Sequence, residues 1–219
     1  ADANYDLTMP DTGYFNANGL SKLTALAGYE SQQIALPEGW SIFSTYISPG
    51  NPDFNDIFIP ILSDIIIAKD NSGQVFWPLY SINSIGDAST GQAYYIKMNL
   101  ANNLLIGGTA LVPENTQISL YENWNMLGYL RNSAASIELL LSPISSSISI
   151  VKNDEGNIFW PIYYINMIGD MEPGKGYLIN MINPETFYYP PNSSVINKSS
   201  IIESNPKYFG KAKNTGLSP

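Results

Sequence analysis

One long segment of this chain occurs twice. Lys69-Asp-Asn-Ser-Gly-Gln-Val-Phe-Trp-Pro-Leu-Tyr-Ser-Ile-Asn-Ser-Ile-Gly-Asp87 recurs as Lys152-Asn-Asp-Glu-Gly-Asn-Ile-Phe-Trp-Pro-Ile-Tyr-Tyr-Ile-Asn-Met-Ile-Gly-Asp170, at an offset of 83. The match runs on through Gly91, Tyr94, Ile96 and Met98 into Gly174, Tyr177, Ile179 and Met181. About half of the aligned positions are identical. Upstream, Leu36-Pro-Glu-Gly-Trp40-Ser-Ile-Phe-Ser44 recurs as Leu120-Tyr-Glu-Asn-Trp124-Asn-Met-Leu-Gly128 at an offset of 84, so a single-residue gap separates the two blocks. Repetition at a fixed period marks units that fold alike and pack on one another. The expected organisation is an N-terminal extension or linker (1–33), a first module (34–113), a second module (114–191) and a C-terminal extension or linker (192–219).

Each module carries the same local signals. A strand surrounds the first Trp, over Trp40 to Tyr46 and Trp124 to Leu130. A short helix follows. Over Asp53 to Leu62 it sets Phe54, Ile57, Phe58, Ile61 and Leu62 on one side, with Asp53 or Asn55 as caps and Pro60 inside it. In the second module Ser136 to Leu141 plays this part and Pro143 ends it. A hairpin comes next: Ile65 to Lys69 and Gln74 to Trp77 flank Asp70-Asn-Ser-Gly73, and Ile148 to Lys152 and Asn157 to Trp160 flank Asn153-Asp-Glu-Gly156. The closing Gly suits a left-handed turn residue. Strands follow at Tyr94 to Met98 and Tyr177 to Met181, then at Leu104 to Leu111 and Phe187 to Tyr189. The fold class is α+β and β-rich: two tandem homologous modules of short antiparallel strands with one short helix each.

Composition removes much chemistry. The chain has no His and no Cys, so disulfides, thiolate nucleophiles and imidazole bases or ligands are excluded. Ten Lys+Arg stand against 19 Asp+Glu, a net charge of -9. Such a chain is a poor nucleic-acid binder, since phosphate contacts need cations. Charged residues are only 13% and hydrophobic ones 44%, which describes a globular chain of low charge density. The longest apolar stretch, Ile57 to Ile67, contains Pro60, Ser63 and Asp64 and is too short to cross a bilayer, so no membrane insertion is expected. Ala1-Asp-Ala-Asn4 has neither the basic start nor the apolar run of a signal peptide. The two ends differ in sign. Residues 1–33 hold Asp2, Asp6, Asp11 and Glu30 against Lys22, and residues 192–219 hold Lys198, Lys207, Lys211 and Lys213 against Glu203. They are read either as linker ends or as complementary ends that join one copy to the next.

Three further motifs fall short of a catalytic or metal site. Asp87 and Asp170 are equivalent, as are Glu38 and Glu122, but all four stand beside turn residues where acids are ordinary. The hairpin loops Asp70 to Gly73 and Asn153 to Gly156 are shorter than the oxygen-rich loops that close a calcium shell. Gly107-Gly108 and Gly174-Lys-Gly176 lack the spacing of a phosphate loop. No catalytic residue, cofactor or metal ligand is expected, and the chain is read as a non-enzyme.

Aromatics carry the remaining binding signal. Trp77 and Trp160 each follow Phe and precede Pro, with Tyr80 and Tyr163 three residues on. On one strand, Phe76 and Trp77 must point to opposite faces, as must Phe159 and Trp160. Trp77, Tyr80, Trp160 and Tyr163 are the candidate ligand-stacking residues, with Asn83 and Asn166 as polar neighbours for sugar hydroxyls. The competing reading packs Trp77 and Trp160 internally. Trp40 and Trp124, flanked by alternating apolar residues, are expected in the core.

The repeat resembles a module of large secreted and surface proteins of Bacteroidetes-type bacteria, whose pattern runs GWN-[LIM]-[IV]-[SG], then VKD..G..YWP, then PGKGY. Trp124-Asn-Met-Leu-Gly128 and Pro173-Gly-Lys-Gly-Tyr177 match it well. The first module departs at Ser41 and at Thr90-Gly-Gln-Ala93. Ala1-Asp-Ala-Asn-Tyr-Asp6 also resembles the linker repeats of such proteins. The resemblance implies an extracellular, cell-surface setting and assigns no site residue. The function expected is a non-enzymatic structural or adhesive module, or a self-associating filament subunit. The alternative is a carbohydrate-binding accessory module using the Phe-Trp-Pro segments. Expected partners are copies of the chain or neighbouring domains, and surface glycans.

Overall fold

The computed structural model describes residues 28–191. The Ala1 to Asp6 segment, the lysines after residue 191 and all the N-terminal acids except Glu30 lie outside them. The fold is α+β and β-rich. In chain order the first half holds β1 (Tyr29–Leu36), β2 (Gly39–Phe43), β3 (Ile47–Pro49), α1 (Phe54–Phe58), β4 (Ile65–Lys69), β5 (Val75–Trp77), β6 (Ile82–Asn83), β7 (Tyr94–Met98) and β8 (Asn102–Ala110). The second holds β9 (Ile118–Leu120), β10 (Asn123–Gly128), β11 (Ala135–Ser136), α2 (Ile137–Leu141), β12 (Ile148–Lys152), β13 (Ile158–Trp160), β14 (Ile165–Asn166), β15 (Asp170–Met171), β16 (Gly176–Met181) and β17 (Glu185–Phe187).

Two five-stranded antiparallel sheets share one order, β2-β7-β4-β5-β6 in the first half and β10-β16-β12-β13-β14 in the second. Their registers agree residue for residue. Phe43 faces Tyr94 as Leu127 faces Tyr177, and Ala68 faces Phe76 as Val151 faces Phe159. Beside each sheet lies a second pairing, β1 with β8 and β9 with β17, again in matching register: Leu36 faces Asn102, and Leu120 faces Glu185.

Turn chemistry explains the hairpins. Asp70 Oδ1 accepts from the N–H groups of Ser72 and Gln74 at 2.8 and 2.7 Å, and Asn153 Oδ1 accepts from those of Glu155 and Asn157. Gly73 and Gly156 close the loops at φ of 83° and 86°, a region costly for any residue with a Cβ. The first helix is shorter than expected, whereas α2 ends at Leu141 as expected. Asp53 caps α1, its Oδ1 accepting from Asn55 N–H at 2.7 Å. The α-helix then stops at Phe58 and a 3-10 segment, Ile59–Asp64, takes over. Pro60 lacks the N–H that a continuing α-helix would use. Pro143 sits likewise in a 3-10 segment, Ser142–Ser147, after α2.

Each half has its own core. Phe43, Phe54, Phe58, Phe76 and Tyr94 pack ring on ring in the first, and Tyr129, Phe187 and Tyr189 in the second. A third, small cluster of Ile42, Ala93 and Met126 joins the halves. Contacts at this junction come in exchanged pairs. Phe43 bridges Lys175, and its counterpart Leu127 bridges Gln92, the counterpart of Lys175. Ser44 N–H donates to Gly174 O at 3.0 Å, and Gly128 N–H donates to Gly91 O at 2.9 Å. Such reciprocity is the signature of a twofold relation. Gly176 sits against it: a Cβ there would lie 2.5 Å from both Ala93 Cβ and Ile42 Cγ2. No helix among the described residues is long and apolar enough to cross a membrane.

Candidate ligand-binding face

Side chains directly opposed across an antiparallel pair stand on the same face of the sheet. In the first sheet one face carries Phe43, Tyr94, Ile96, Ala68 and Phe76, all buried in the core. The other face follows from the register. Trp40 opposes Lys97, and Lys97 opposes Ile67, while Trp77 opposes Ile82. Extending the β4–β5 register one step from Ala68 and Phe76 sets Ile67 opposite Trp77. Trp40, Lys97, Ile67, Trp77 and Ile82 thus form one row across the strands. The adjacent row is Ile42, Tyr95, Lys69 and Val75. Trp40 and Trp77 are three strand spacings apart, about 14 Å.

The second sheet repeats this layout with different chemistry. Its rows are Trp124, Asn180, Ile150, Trp160, Ile165 and Met126, Leu178, Lys152, Ile158. An antiparallel sheet with one solvated face normally shows polar residues there. At the junction the other half covers part of each outer face, burying Ile42 and Met126 with Tyr95 and Leu178 packed against them. The uncovered rows of Trp40 and Trp124 are aromatic and aliphatic, and lysines are the charged residues among these rows.

Trp40 is 47% exposed and Trp124 is 45% exposed, which corrects their expected place in the core. The inward positions beside them belong to polar residues, Ser41 and Asn125. Asn125 is buried because it builds a turn. Its Oδ1 accepts from Tyr121 N–H at 2.9 Å, and its Nδ2 donates to the carbonyls of Tyr121 and Asn123. With Asn125 turned inward, strand alternation sends Trp124 out. Lysines lie over both exposed rings. Lys69 and Lys97 Nζ are 5.6 and 5.8 Å from the Trp40 centroid, and Lys152 Nζ is 5.3 Å from that of Trp124. Tyr95 meets Trp40 edge-on at 6.1 Å. Burial holds the Tyr95 hydroxyl above the usual phenol range, with the Asp154 carboxylate adding to the effect.

The four residues singled out from sequence lie along this face and its rim. Phe76 and Phe159 point into the cores, while Trp77 and Trp160 are half-buried on the outer side. Tyr80 and Tyr163 are exposed, each meeting its Trp edge-on at 4.6 Å. Short 3-10 turns place them, Pro78–Tyr80 and Pro161–Tyr163, ended by left-handed Ser81 and Tyr164 at φ of 55°. Asn83 and Asn166 are committed elsewhere. Each accepts a backbone N–H at Oδ1, from Gly86 and Gly169, and donates from Nδ2 to Asp53 and Glu138 respectively. They shape the turn and are not presented to a ligand.

Beside Trp77 the first half has an apolar groove of about 650 Å³, lined by Ile59, Leu62, Ile66, Trp77, Pro78 and Leu79. The second half has Ser142, Ser145 and Ser149 at the positions of Ile59, Leu62 and Ile66. Serine satisfies the fold there, so the exposed aliphatic residues of the first half are not demanded by packing. Among the described residues no group of three or more acidic side chains is placed to hold a metal ion. Comparison with known protein families, curated proteins and solved structures finds no match to this chain.

Proposed function

We propose that this chain is a non-enzymatic adhesive module of an extracellular bacterial surface protein, holding its ligand on the outer faces of its two five-stranded sheets. The setting rests on the resemblance of the repeat to surface-protein modules. The mode of action rests on one observation: each outer face keeps a Trp almost half exposed, in a row that also carries a second Trp. Leaving such rings in water forgoes about 25 cal/mol per Å² of apolar area. A flat ring beside aliphatic neighbours suits the apolar face of a sugar, which makes surface glycans the ligand class best matched.

The test is affinity electrophoresis in gels carrying soluble polysaccharides, comparing the wild-type chain with Trp40→Ala, Trp124→Ala and the double variant. The double variant should migrate as in a polymer-free gel while keeping its circular dichroism spectrum. Equal retention of wild type and double variant would sink the proposal.

A further inference from the structure

The two outer faces match in layout but differ in charge, and the difference is concentrated at the ligand row. Lys97 lies between Trp40 and Trp77 in the first sheet, and Asn180 holds the same place between Trp124 and Trp160 in the second. The adjacent row supplies Lys69 to the first sheet and Lys152 to the second. Trp40 is therefore approached by two ammonium groups and Trp124 by one.

These lysines are unusual for this chain. Residues 28–191 contain Lys69, Lys97, Lys152 and Lys175, and the first three all lie over an exposed Trp. None of the three forms an ion pair among the described residues, where the pair present is Arg131–Glu114. The nearby carboxylates keep their charge but bond backbone N–H groups, and among the described residues none is within ion-pair distance of these lysines. Asp70 accepts two backbone N–H groups of its own hairpin. Asp154 accepts from Ile42 N–H at 3.3 Å. Glu38 lies in the turn before β2, outside the rows. In a chain of net charge -9, ammonium groups without an ion pair among the described residues are thus collected on the aromatic faces, two on the first and one on the second. Screening over roughly 8 Å at physiological salt lets these local charges outweigh distant acids.

We propose that the first outer face selects anionic sugars, with Trp40 and Trp77 stacking on rings and Lys97 and Lys69 pairing the carboxylate or sulfate, while the second face takes neutral sugars, with the Asn180 amide offered to hydroxyls. This deepens the adhesive reading above and rests on it.

The second half supplies the test substitution. Lys97→Asn installs the residue that the same backbone already carries at position 180, so the fold is expected to tolerate it. Affinity electrophoresis would use three soluble polymers: a polyuronate, a sulfated glucan and the same glucan unsulfated. Wild type should be retained by at least one anionic polymer and by the neutral glucan. Lys97→Asn should weaken anionic retention about three- to five-fold, as expected for a solvent-exposed charge pair, while neutral retention, carried by the untouched second face, should hold or rise. Asn180→Lys should strengthen anionic retention. Preference for the polyuronate or for the sulfated glucan identifies the acid group. Retention on the neutral glucan alone would overturn the inference and leave the adhesive reading standing. An equal loss on all polymers in Lys97→Asn would also overturn it, because the lysine would then be supporting the Trp40 ring. Retention on none would overturn both.

Discussion

Gly176 is the most sensitive position at the junction between the halves, and Gly176→Ala gives a direct measure of how tightly they are packed. The added Cβ would lie 2.5 Å from Ala93 Cβ and from Ile42 Cγ2, and 3.1 Å from the Phe43 carbonyl oxygen. Two of these neighbours are side chains, but Ala93 has no rotamer to move and Ile42 is fully buried in a β-strand. The overlap must be relieved by separating β2 from the start of β16. Overpacking of this kind costs about 1–3 kcal/mol. With a urea m-value of about 2 kcal/mol/M, the midpoint should fall by roughly 0.5–1.5 M. Urea titration followed by Trp emission and by far-ultraviolet circular dichroism measures this. Ala93→Gly in the same chain removes one of the two clashing methyl groups, so the double variant should recover part of the loss. An unchanged midpoint in Gly176→Ala would refute the junction as described, because a loosely apposed pair of halves has room for a methyl group.

Two further outcomes are expected. Burial raises the hydroxyls of Tyr94, Tyr129, Tyr177 and Tyr189, Tyr129 to about 12. Stability should therefore be unaffected by these groups below the unfolded value near pH 10 and fall between about pH 10 and 12, as the unfolded chain releases protons that the fold retains; absorbance at 295 nm should show these phenols ionising together with loss of structure, and their ionisation in an intact fold would contradict the burial. Asp53→Ala should cost about 1 kcal/mol through loss of the α1 cap, whereas Ser136→Ala, at a cap whose side chain makes no hydrogen bond to the helix, should cost under about 0.5 kcal/mol; equal midpoint shifts in a thermal melt would contradict the assignment.

Much of the local structure was legible in the residues themselves. The strands Ile65–Lys69, Ile148–Lys152 and Tyr94–Met98 have the bounds read from sequence, because runs of β-branched or aromatic residues meet strong turn signals. Alternation along Phe76-Trp77 and Phe159-Trp160 correctly required one ring in and one out. What failed was non-local. The pairing of β1 with β8 joins residues far apart in sequence, and Tyr29 to Gln33 carry no repeat signal to announce a strand. Trp40 and Trp124 were misplaced because a buried polar residue looks exposed until its partners are known. Asn125 is satisfied inside a turn, and that satisfaction decides which neighbour faces water. Asn83 and Asn166 meet the same limit: their bonds to Gly86 and Gly169 are visible only in the fold, and the one local clue is an Asn followed three residues later by Gly.

The reciprocal junction also bears on how copies of this chain meet one another. A surface that mates with its own counterpart is available to any other copy whose halves have come apart. The first half of one molecule then fits the second half of another, giving closed pairs or open strings of exchanged halves. The short connection 111–117 between β8 and β9 opposes this by keeping the proper partner at an effective concentration in the millimolar range. Below that concentration each chain closes on itself, and lengthening or stiffening the connection would be enough to tip the balance toward exchange.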